Sequence, residues 1–164
     1  MSSEQQKILD RFNTSLDDLD AVLQNLPEEA LDWSEKEGEW TINEVLHHLA
    51  GDGNVFAFIF ERALVLPGSN VFFGAFPGNE VWCNQLDWRQ RSAASALELI
   101  HAHRKFLSEM VSHFPDRWDN RVNFCNEKGE VQADPSVEGL IIMLTEHMVE
   151  HSEMIRKIVN VNQA

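Results

Sequence analysis

An all-α fold of the four-helix-bundle type is predicted by three features of this sequence. Four stretches carry apolar residues at helical spacing, and capping or helix-breaking residues bound them. The length of 164 residues suits one hydrophobic core. Hydrophobic residues make up 43% of the chain, which is too many for a disordered protein. We therefore expect one domain over residues 1–164.

The first predicted helix runs from about Ser3 to Leu26, and Pro27 follows it as a helix breaker. Its apolar residues recur at intervals of three and four, so they share one face. These residues are Ile8, Leu9, Phe12, Leu16, Leu19, Val22, Leu23 and Leu26.

The second predicted helix covers residues 41–66 and carries signals at both ends. Thr41 and Glu44 match the Ser/Thr-x-x-Glu capping box, and a Pro-Gly pair follows the helix. Gly51 and Gly53 lie inside it, and each lowers helix stability by about 1 kcal/mol relative to alanine. A close contact with a neighbouring helix and an open space beside a site would explain them equally well.

The third predicted helix covers about residues 86–114 and ends before a proline. The fourth begins at Asp134-Pro135, because an N-cap residue followed by proline at the first helical position is typical of a helix start. It continues to about Val159. Helical spacing thus predicts four helices along the chain.

Two long connections, residues 67–85 and 115–133, separate the last three helices. The second connection is predicted to contain a small β-hairpin, since short apolar runs flank an Asn-Glu-Lys-Gly sequence at residues 126–129. The first connection is rich in aromatic residues, which either wall a pocket or pack into the core. They are Phe72, Phe73, Phe76 and Trp82.

Charge and composition exclude several classes of partner. The formal net charge is −14, which disfavours binding to nucleic acid and to an anionic membrane. The N-terminus lacks a basic segment followed by an apolar run, so we expect no signal peptide. Cys83 and Cys125 have no metal-type spacing and are interpreted as packing residues. These features predict a cytoplasmic protein without a membrane span.

Helical phase separates the two adjacent histidines of the second helix. At about 100° per residue, His47 points roughly 160° away from the centre of the apolar face, and His48 roughly 100° away. We therefore expect His47 to be exposed and His48 to lie at the border of the core. Asp52, one turn after His48, lies closer to the apolar face.

The fourth helix places two histidines on its apolar face. His151 falls within roughly 30° of the centre of that face and His147 within roughly 70°. A buried imidazole without a hydrogen-bond partner costs about 1–3 kcal/mol. A His-x-x-x-His pair on a helix fits a transition metal, although hydrogen-bonded core histidines are the alternative.

The remaining histidines and one arginine fall on the third helix. His101, His103 and His113 are predicted to be surface residues or to support a nearby site. Arg104 points partly inward, where a salt bridge to a helix carboxylate is the expected role. Anchoring of an anionic substrate is the alternative for this guanidinium.

Three segments of the sequence resemble the DinB/YfiT-like family of three-histidine metal proteins. They are the Trp40–Leu49 stretch WTINEVLHHL, the Asp87–Arg91 stretch DWRQR and the His147–His151 stretch HMVEH. The tryptophan precedes the first metal histidine of the family by eight positions, which matches His48 and not His47. The resemblance implies that His48, His147 and His151 bind one divalent transition metal, and imidazole suits zinc, nickel and iron.

The resemblance also implies a class of activity and an assembly. Family members include bacillithiol S-transferases and a mycothiol-dependent maleylpyruvate isomerase. It therefore implies a metal-dependent transferase using a low-molecular-weight thiol, or a hydrolase, acting on a small-molecule substrate. A metal-binding stress-response protein without turnover and a metal-free helical interaction module are the alternatives. The carboxylate pattern after the first histidine departs from the family, so Asp52 is only a candidate catalytic residue.

The metal ligands predict a topology, and the aromatic content predicts a dimer. His48 follows the start of the second helix by about as many residues as His151 precedes the end of the fourth. Antiparallel second and fourth helices would therefore bring these histidines level, in an up-down-down-up bundle. The crossover of nineteen residues reaches roughly 60 Å, more than the roughly 39 Å of a 26-residue helix. Five tryptophans and ten phenylalanines, together with the family resemblance, favour a homodimer.

Overall fold

The computed structural model describes residues 1–72 and 79–163, which form a helical bundle with a small sheet at one end. The α-helices of these residues are α1 (Ser3–Leu23), α2 (Ile42–Val65), α3 (Asn79–Gln85), α4 (Ala93–His113) and α5 (Val137–Gln163). The strands are β1 (Asn70–Phe72), β2 (Asn123–Cys125) and β3 (Val131–Ala133). The long helices α1, α2, α4 and α5 confirm the predicted all-α four-helix bundle.

The helix starts show which capping signals were correctly identified. At α2, Thr41 Oγ1 accepts a hydrogen bond from the Glu44 amide, and the Glu44 carboxylate accepts from the Thr41 amide at 2.7 Å. This pair confirms the predicted capping box. At α5, Ser136 Oγ accepts from the Gly139 amide at 3.0 Å, so the helix begins after Asp134-Pro135 rather than at it.

The predicted third helix is wrong in its first part. Residues 86–92 form a turn and a short 3₁₀ segment, and α4 begins only after Ser92, whose hydroxyl accepts from the Ala94 amide at 3.3 Å. Asp87 adopts a left-handed backbone conformation with φ +49°, which a continuous helix cannot contain. Apolar spacing continues through this turn, so periodicity alone did not detect it.

Helices α2 and α4 run in the same direction. Near their starts, Asn43 Nδ2 donates to the Arg91 carbonyl at 2.8 Å. Near their ends, the Arg117 guanidinium donates to the Leu64 carbonyl at 3.5 Å. The start of α2 therefore lies beside the start of α4, and the end of α2 lies beside the segment that follows α4.

Helices α1 and α5 run opposite to these two. Gln5, at the start of α1, donates to the carbonyl of Pro115, which follows the end of α4, at 2.8 Å. Asn162, at the end of α5, donates to Ser34, which pairs with Thr41 at the start of α2. These contacts are consistent with the predicted up-down-down-up order.

The small sheet lies in the two long connections. β1 pairs in parallel with β2, and β2 pairs antiparallel with β3, which confirms the predicted hairpin. Gly129, with φ +82°, supplies the left-handed residue of the hairpin turn. The sheet joins the segment after α2 to the segment before α5.

The core has two parts along the bundle axis. One part lies toward the sheet and includes Phe12, Phe60, Leu107, Trp118 and Ile141. The other lies toward the opposite end and includes Leu19, Leu46, Ile100, Met148 and Ile155. Within residues 1–72 and 79–163, no helix has both the length and the apolar character needed to span a membrane.

Candidate metal centre

Three histidines from two helices meet in the interior of the bundle. His48 lies in the second turn of α2, whereas His147 and His151 lie one turn apart in α5. The His147 Nε2 atom is 3.1 Å from the Nε2 atom of His48 and 3.1 Å from that of His151. The helical spacing in α5 and the antiparallel approach of α2 thus bring three ring nitrogens to one point.

Hydrogen bonding among these rings cannot satisfy all three nitrogens. A neutral imidazole nitrogen carries either one hydrogen or one lone pair, so His147 Nε2 can form only one directed hydrogen bond in the ring plane. It nevertheless has two equally near nitrogen neighbours. At least one Nε2 atom therefore lacks a hydrogen-bond partner within the cluster, which is costly for a buried polar group.

The spacing of the ring nitrogens fits a shared transition metal. One ligand atom from each histidine lies within 4.8 Å of the others. Zinc binds imidazole at about 2.0–2.1 Å, which puts neighbouring nitrogens of a tetrahedral site about 3.3 Å apart. The two separations of 3.1 Å are close to that value. The donor set therefore fits a metal without a large movement of either helix.

The cluster favours neutral imidazole, the form that binds metal. Burial, with a smaller contribution from the neighbouring His147, lowers the pKa of His48 to about 4 and that of His151 to about 3. Burial also lowers the pKa of His147, although the Asp52 carboxylate opposes this shift. All three rings are thus neutral near pH 7, with lone pairs available for coordination.

Asp52 lies beside the cluster, one helical turn after His48. Its Oδ1 atom is 3.7 Å from His48 Nδ1 and its Oδ2 atom is 3.5 Å from His147 Nε2. Both separations are longer than hydrogen bonds, and His48 Nδ1 has no hydrogen-bond partner among the residues that the structure describes. Burial raises the pKa of the Asp52 carboxyl, and the His147 charge opposes that rise. The carboxylate can therefore orient His48 or approach a fourth coordination position.

Two tryptophans pack near the His48 ring. The ring centroid of His48 is 5.2 Å from that of Trp40 and 6.3 Å from that of Trp88. Asn43 fixes the turn that carries Trp88, because its amide nitrogen lies 2.8–3.2 Å from three carbonyl oxygens of that turn. Sequence reasoning did not identify Asn43 or Trp88 as supporting residues, since contacts between a helix and a distant turn leave no periodic signal.

The prediction that His47 is exposed is wrong. Only 5% of the residue is accessible, because all residues from Ile42 to Ala50 are buried. The helical-phase argument assumed one solvent-facing side, whereas the turn around Trp88 and the short helix α3 cover that side. Burial and the nearby Arg91 charge lower the pKa of His47, while carbonyl groups of the adjacent turn oppose this shift.

Helix α4 contributes His103 beside Gly53. A Cβ atom added at Gly53 would collide with His103 Nδ1, whereas a Cβ at Gly51 would meet nothing within 4 Å. The close helix contact therefore explains Gly53, whereas nothing within 4 Å of Gly51 requires a glycine at that position. His103 and Asp52 line a cavity of about 30 Å³ together with His147, enough room for about one water molecule.

Arg104 lies against the same cavity, and its predicted salt bridge is wrong for the described residues. The guanidinium donates to the Phe12 carbonyl at 3.3 Å and to the Leu144 carbonyl at 2.6 Å. It also stacks over the Phe12 ring at 4.1 Å from the centroid. Burial lowers the pKa of Arg104 to about 10, so the group remains charged at neutral pH.

The other candidate residues lie away from the cluster. His101 is exposed and paired with Asp20, and His113 contacts Phe114. Phe72 is exposed in β1, and Trp82 lines a separate groove. Phe73 and Phe76 lie outside the described residues.

The two cysteines are buried and free, and a wide groove on the bundle surface lies away from the three histidines. Burial and the Glu44 carboxylate raise the pKa of the Cys83 thiol to about 12, which makes it a poor nucleophile. A groove of about 650 Å³ lies between the outer faces of α1 and α5, and no histidine is among its described lining residues. Donor chemistry, not groove size, therefore identifies the candidate site.

Comparisons with known proteins agree with this arrangement. A family model described as the DinB superfamily matches residues 11–155. The structure of YfiT from Bacillus subtilis matches with a TM-score of 0.76 and 16% sequence identity, covering 99% of this chain and 89% of YfiT. YfiT is described as a probable metal-dependent hydrolase with an unusual four-helix bundle topology. No curated protein shows significant similarity to the chain.

Proposed function

Since the chain belongs to the DinB superfamily, we propose that it is a metal-dependent enzyme whose centre is one divalent transition metal. His48, His147 and His151 are the ligands in this proposal. Zinc, nickel and iron all accept an imidazole donor set. The proposal rests mainly on His147 Nε2, which lies 3.1 Å from two other ring nitrogens and can hydrogen bond to only one of them.

Three protein ligands leave at least one coordination position for a small molecule. Catalytic metal sites have this arrangement, whereas structural sites are usually closed by a fourth protein ligand. A divalent metal held there can lower the pKa of bound water to about 7 or bind a thiol as thiolate. The proposed activity is therefore hydrolysis of a small-molecule substrate or transfer of a low-molecular-weight thiol to it.

The residues around the cluster have distinct roles in this proposal. Asp52 is a candidate catalytic residue, because its carboxylate lies beside His147 Nε2 and can accept a proton from a nucleophile bound there. Trp40 and Trp88 hold the His48 ring and exclude water from one side of it. His103 lines the small cavity next to Asp52 and can bind a water molecule there.

Hydrolysis and thiol transfer are distinguished by one pair of assays. Cobalt-substituted protein should develop a sulfur-to-metal charge-transfer band with a thiol if the chain is a thiol transferase. We would test bacillithiol, mycothiol, glutathione and coenzyme A. If none gives a band while ester or amide substrates are cleaved, the protein is a hydrolase, as the description of YfiT favours.

Two further outcomes separate the alternatives. Stoichiometric metal without turnover of any substrate would favour a metal-binding stress-response protein. Absence of stoichiometric metal would favour a helical interaction module. The mutual approach of three neutral imidazoles argues against the latter, since a module without metal has no need of them.

We also propose a cytoplasmic homodimer. Two free cysteines suit a reducing compartment. Several aromatic residues are exposed, among them Phe58 at 57% and Phe106 at 47%. Light scattering at micromolar concentration should give about twice the chain mass of 18.8 kDa. A monomer at that concentration would contradict the dimer without affecting the metal proposal.

A further inference from the structure

A second concave site lies next to the candidate metal centre, on the other side of Trp88. This groove has a volume of about 290 Å³ and lies between α2, α3 and the first turn of α4. Ligand pockets usually have volumes of about 300–1,000 Å³, so this groove, at the lower limit of that range, suits only a small molecule. Trp88 lines the groove and also contacts the His48 ring, so it separates the groove from the three-histidine cluster.

One ring nitrogen of a buried imidazole in the groove wall lacks a hydrogen-bond partner. His47 lines the groove and is only 5% accessible, and its Nε2 atom has no partner among the described residues. The metal proposal does not use this nitrogen. A ligand with a hydroxyl or another polar substituent would satisfy it.

The groove also carries an unpaired positive charge in a strongly acidic protein. The exposed Arg91 lines it, and no ion pair or side-chain hydrogen bond of its guanidinium occurs within residues 1–72 and 79–163. None of the described lining residues is acidic, although the chain has a net charge of −14. Arginine binds carboxylates through two parallel hydrogen bonds, which makes it a directional anchor for an anion.

Apolar side chains form the rest of the groove. Trp82 and Trp88 provide aromatic surfaces, and Leu86 and Leu99 provide aliphatic ones. Aromatic walls favour a planar apolar ligand body, which gains offset-stacked or edge-to-face contacts. The groove thus combines a cationic anchor, one buried polar nitrogen and aromatic walls.

We propose that this groove binds a small aromatic carboxylate. The carboxylate pairs with Arg91, the ring packs against Trp82 and Trp88, and a polar ring substituent hydrogen bonds to His47. The site goes beyond the proposed metal chemistry, since none of its anchoring groups belongs to the three-histidine cluster. Binding therefore does not require the metal.

The probe for this site is 4-hydroxybenzoate, titrated into the isotope-labelled full-length protein as purified and followed by nuclear magnetic resonance. We expect saturable shifts of the groove residues between positions 47 and 54 of α2 and between positions 91 and 99 at the start of α4, with an apparent Kd of about 1 mM or tighter. The neutral analogue 4-hydroxybenzamide should bind about tenfold more weakly, because it loses the charge-assisted pair with Arg91. Equal binding of both compounds would overturn the proposal.

Two matched pairs of variants locate the binding site. Arg91→Ala should weaken 4-hydroxybenzoate about tenfold, whereas Arg89→Ala, an exposed neighbour outside the groove, should not. Ser95→Trp should fill the groove and abolish binding, whereas Ala94→Trp on the exposed side of the same helix should not. Binding that survives both Arg91→Ala and Ser95→Trp would overturn the proposal.

A third variant distinguishes binding in the groove from binding at the metal centre. His147→Ala should leave the binding of 4-hydroxybenzoate unchanged, because the groove does not include that residue. If His147→Ala abolishes binding, the carboxylate binds at the metal and the groove proposal fails. Full metal content in His147→Ala together with retained probe binding would instead contradict only the proposed function.

Discussion

Two sets of basic side chains are buried between the helices of this bundle, and they differ in how their polar atoms are satisfied. Arg104 donates to carbonyl oxygens of α1 and α5 and stacks on the Phe12 ring. The histidines of the three-histidine cluster instead face one another, nitrogen to nitrogen. Burial lowers the pKa in both sets, but only the arginine has its partners within the protein.

This difference distinguishes a structural polar group from a functional one. Arg104 links three helices and leaves no role for a ligand, so its removal should affect stability alone. The three-histidine cluster leaves ring nitrogens without partners, so its stability should depend on what binds there.

Metal removal should have the largest effect on stability. A ligand that binds only the folded state stabilises it by about 4 kcal/mol when its concentration is a thousand times its Kd. Chelation should therefore lower the Tm of the wild-type protein by several degrees in differential scanning calorimetry. The same chelator should leave the Tm of His147→Ala or His151→Ala unchanged, since these variants have already lost a ligand. A shift of equal size in the variants would mean that the chelated metal binds elsewhere.

Removal of the buried guanidinium should lower stability without affecting the metal. Arg104→Met keeps an apolar chain of similar length but loses two hydrogen bonds and the contact with Phe12, at a cost of about 2–3 kcal/mol. Urea unfolding measures this loss, and metal analysis should still find one equivalent. The exposed neighbour Lys105→Met should change little. If Arg104→Met releases the metal, the two sets are not independent.

The two glycines of α2 offer a matched comparison of packing near the cluster. Gly53→Ala places a Cβ atom against the His103 ring, so the ring must move at a cost of about 1–2 kcal/mol. Gly51→Ala meets open space and should stabilise the helix by up to about 1 kcal/mol. Changes of opposite sign in the free energy of unfolding, measured with urea, would support the close approach of α2 and α4 at Gly53. Equal effects would contradict it.

Acid should destabilise the metal-free protein through the histidines. Their folded pKa values lie below the unfolded value of 6.5, so the unfolded state binds more protons as the pH falls below 6.5. Stability should decrease from about pH 6.5 down to about 4 for His48 and about 3 for His151, by up to about 1.4 kcal/mol per pH unit for each group.

The carboxyl of Asp52 opposes this loss of stability in acid. A histidine variant distinguishes its contribution from that of the histidines. Burial raises its folded pKa, so the folded state takes up this proton first as the pH falls. His151→Ala should flatten the acid limb of the stability profile measured by urea unfolding. An unchanged slope in that variant would show that other groups cause the acid sensitivity.

Sequence reasoning identified the fold and the cluster for physical reasons. Helical periodicity and capping are local properties, so the four long helices and the Thr41 cap were predictable. His147 and His151 share one helix face, and their spacing alone predicted that they lie together. His48 was identified as a ligand from its spacing of eight residues after Trp40. The structure shows why this spacing matters, because Trp40 packs against the His48 ring.

The errors came from contacts that are distant in sequence. His47 was expected to be exposed because helical phase treats one side of α2 as solvent, whereas the Trp88 turn covers it. Arg104 was expected to find a carboxylate, but carbonyl oxygens of other helices receive its hydrogen bonds. The left-handed Asp87 interrupts a periodic segment without changing its apolar spacing. Only the folded arrangement reveals these partners.

Metal content of protein purified without an affinity tag tests the central claim most directly. Inductively coupled plasma mass spectrometry should find about one divalent transition metal per wild-type chain, and His48→Ala should lose most of it. His47→Ala should keep it, because His47 faces the neighbouring groove and not the cluster. If His47→Ala loses the metal while His48→Ala retains it, the ligand assignment is wrong. If the wild-type chain takes up no metal even when zinc, nickel or iron is supplied, the metal centre itself is contradicted.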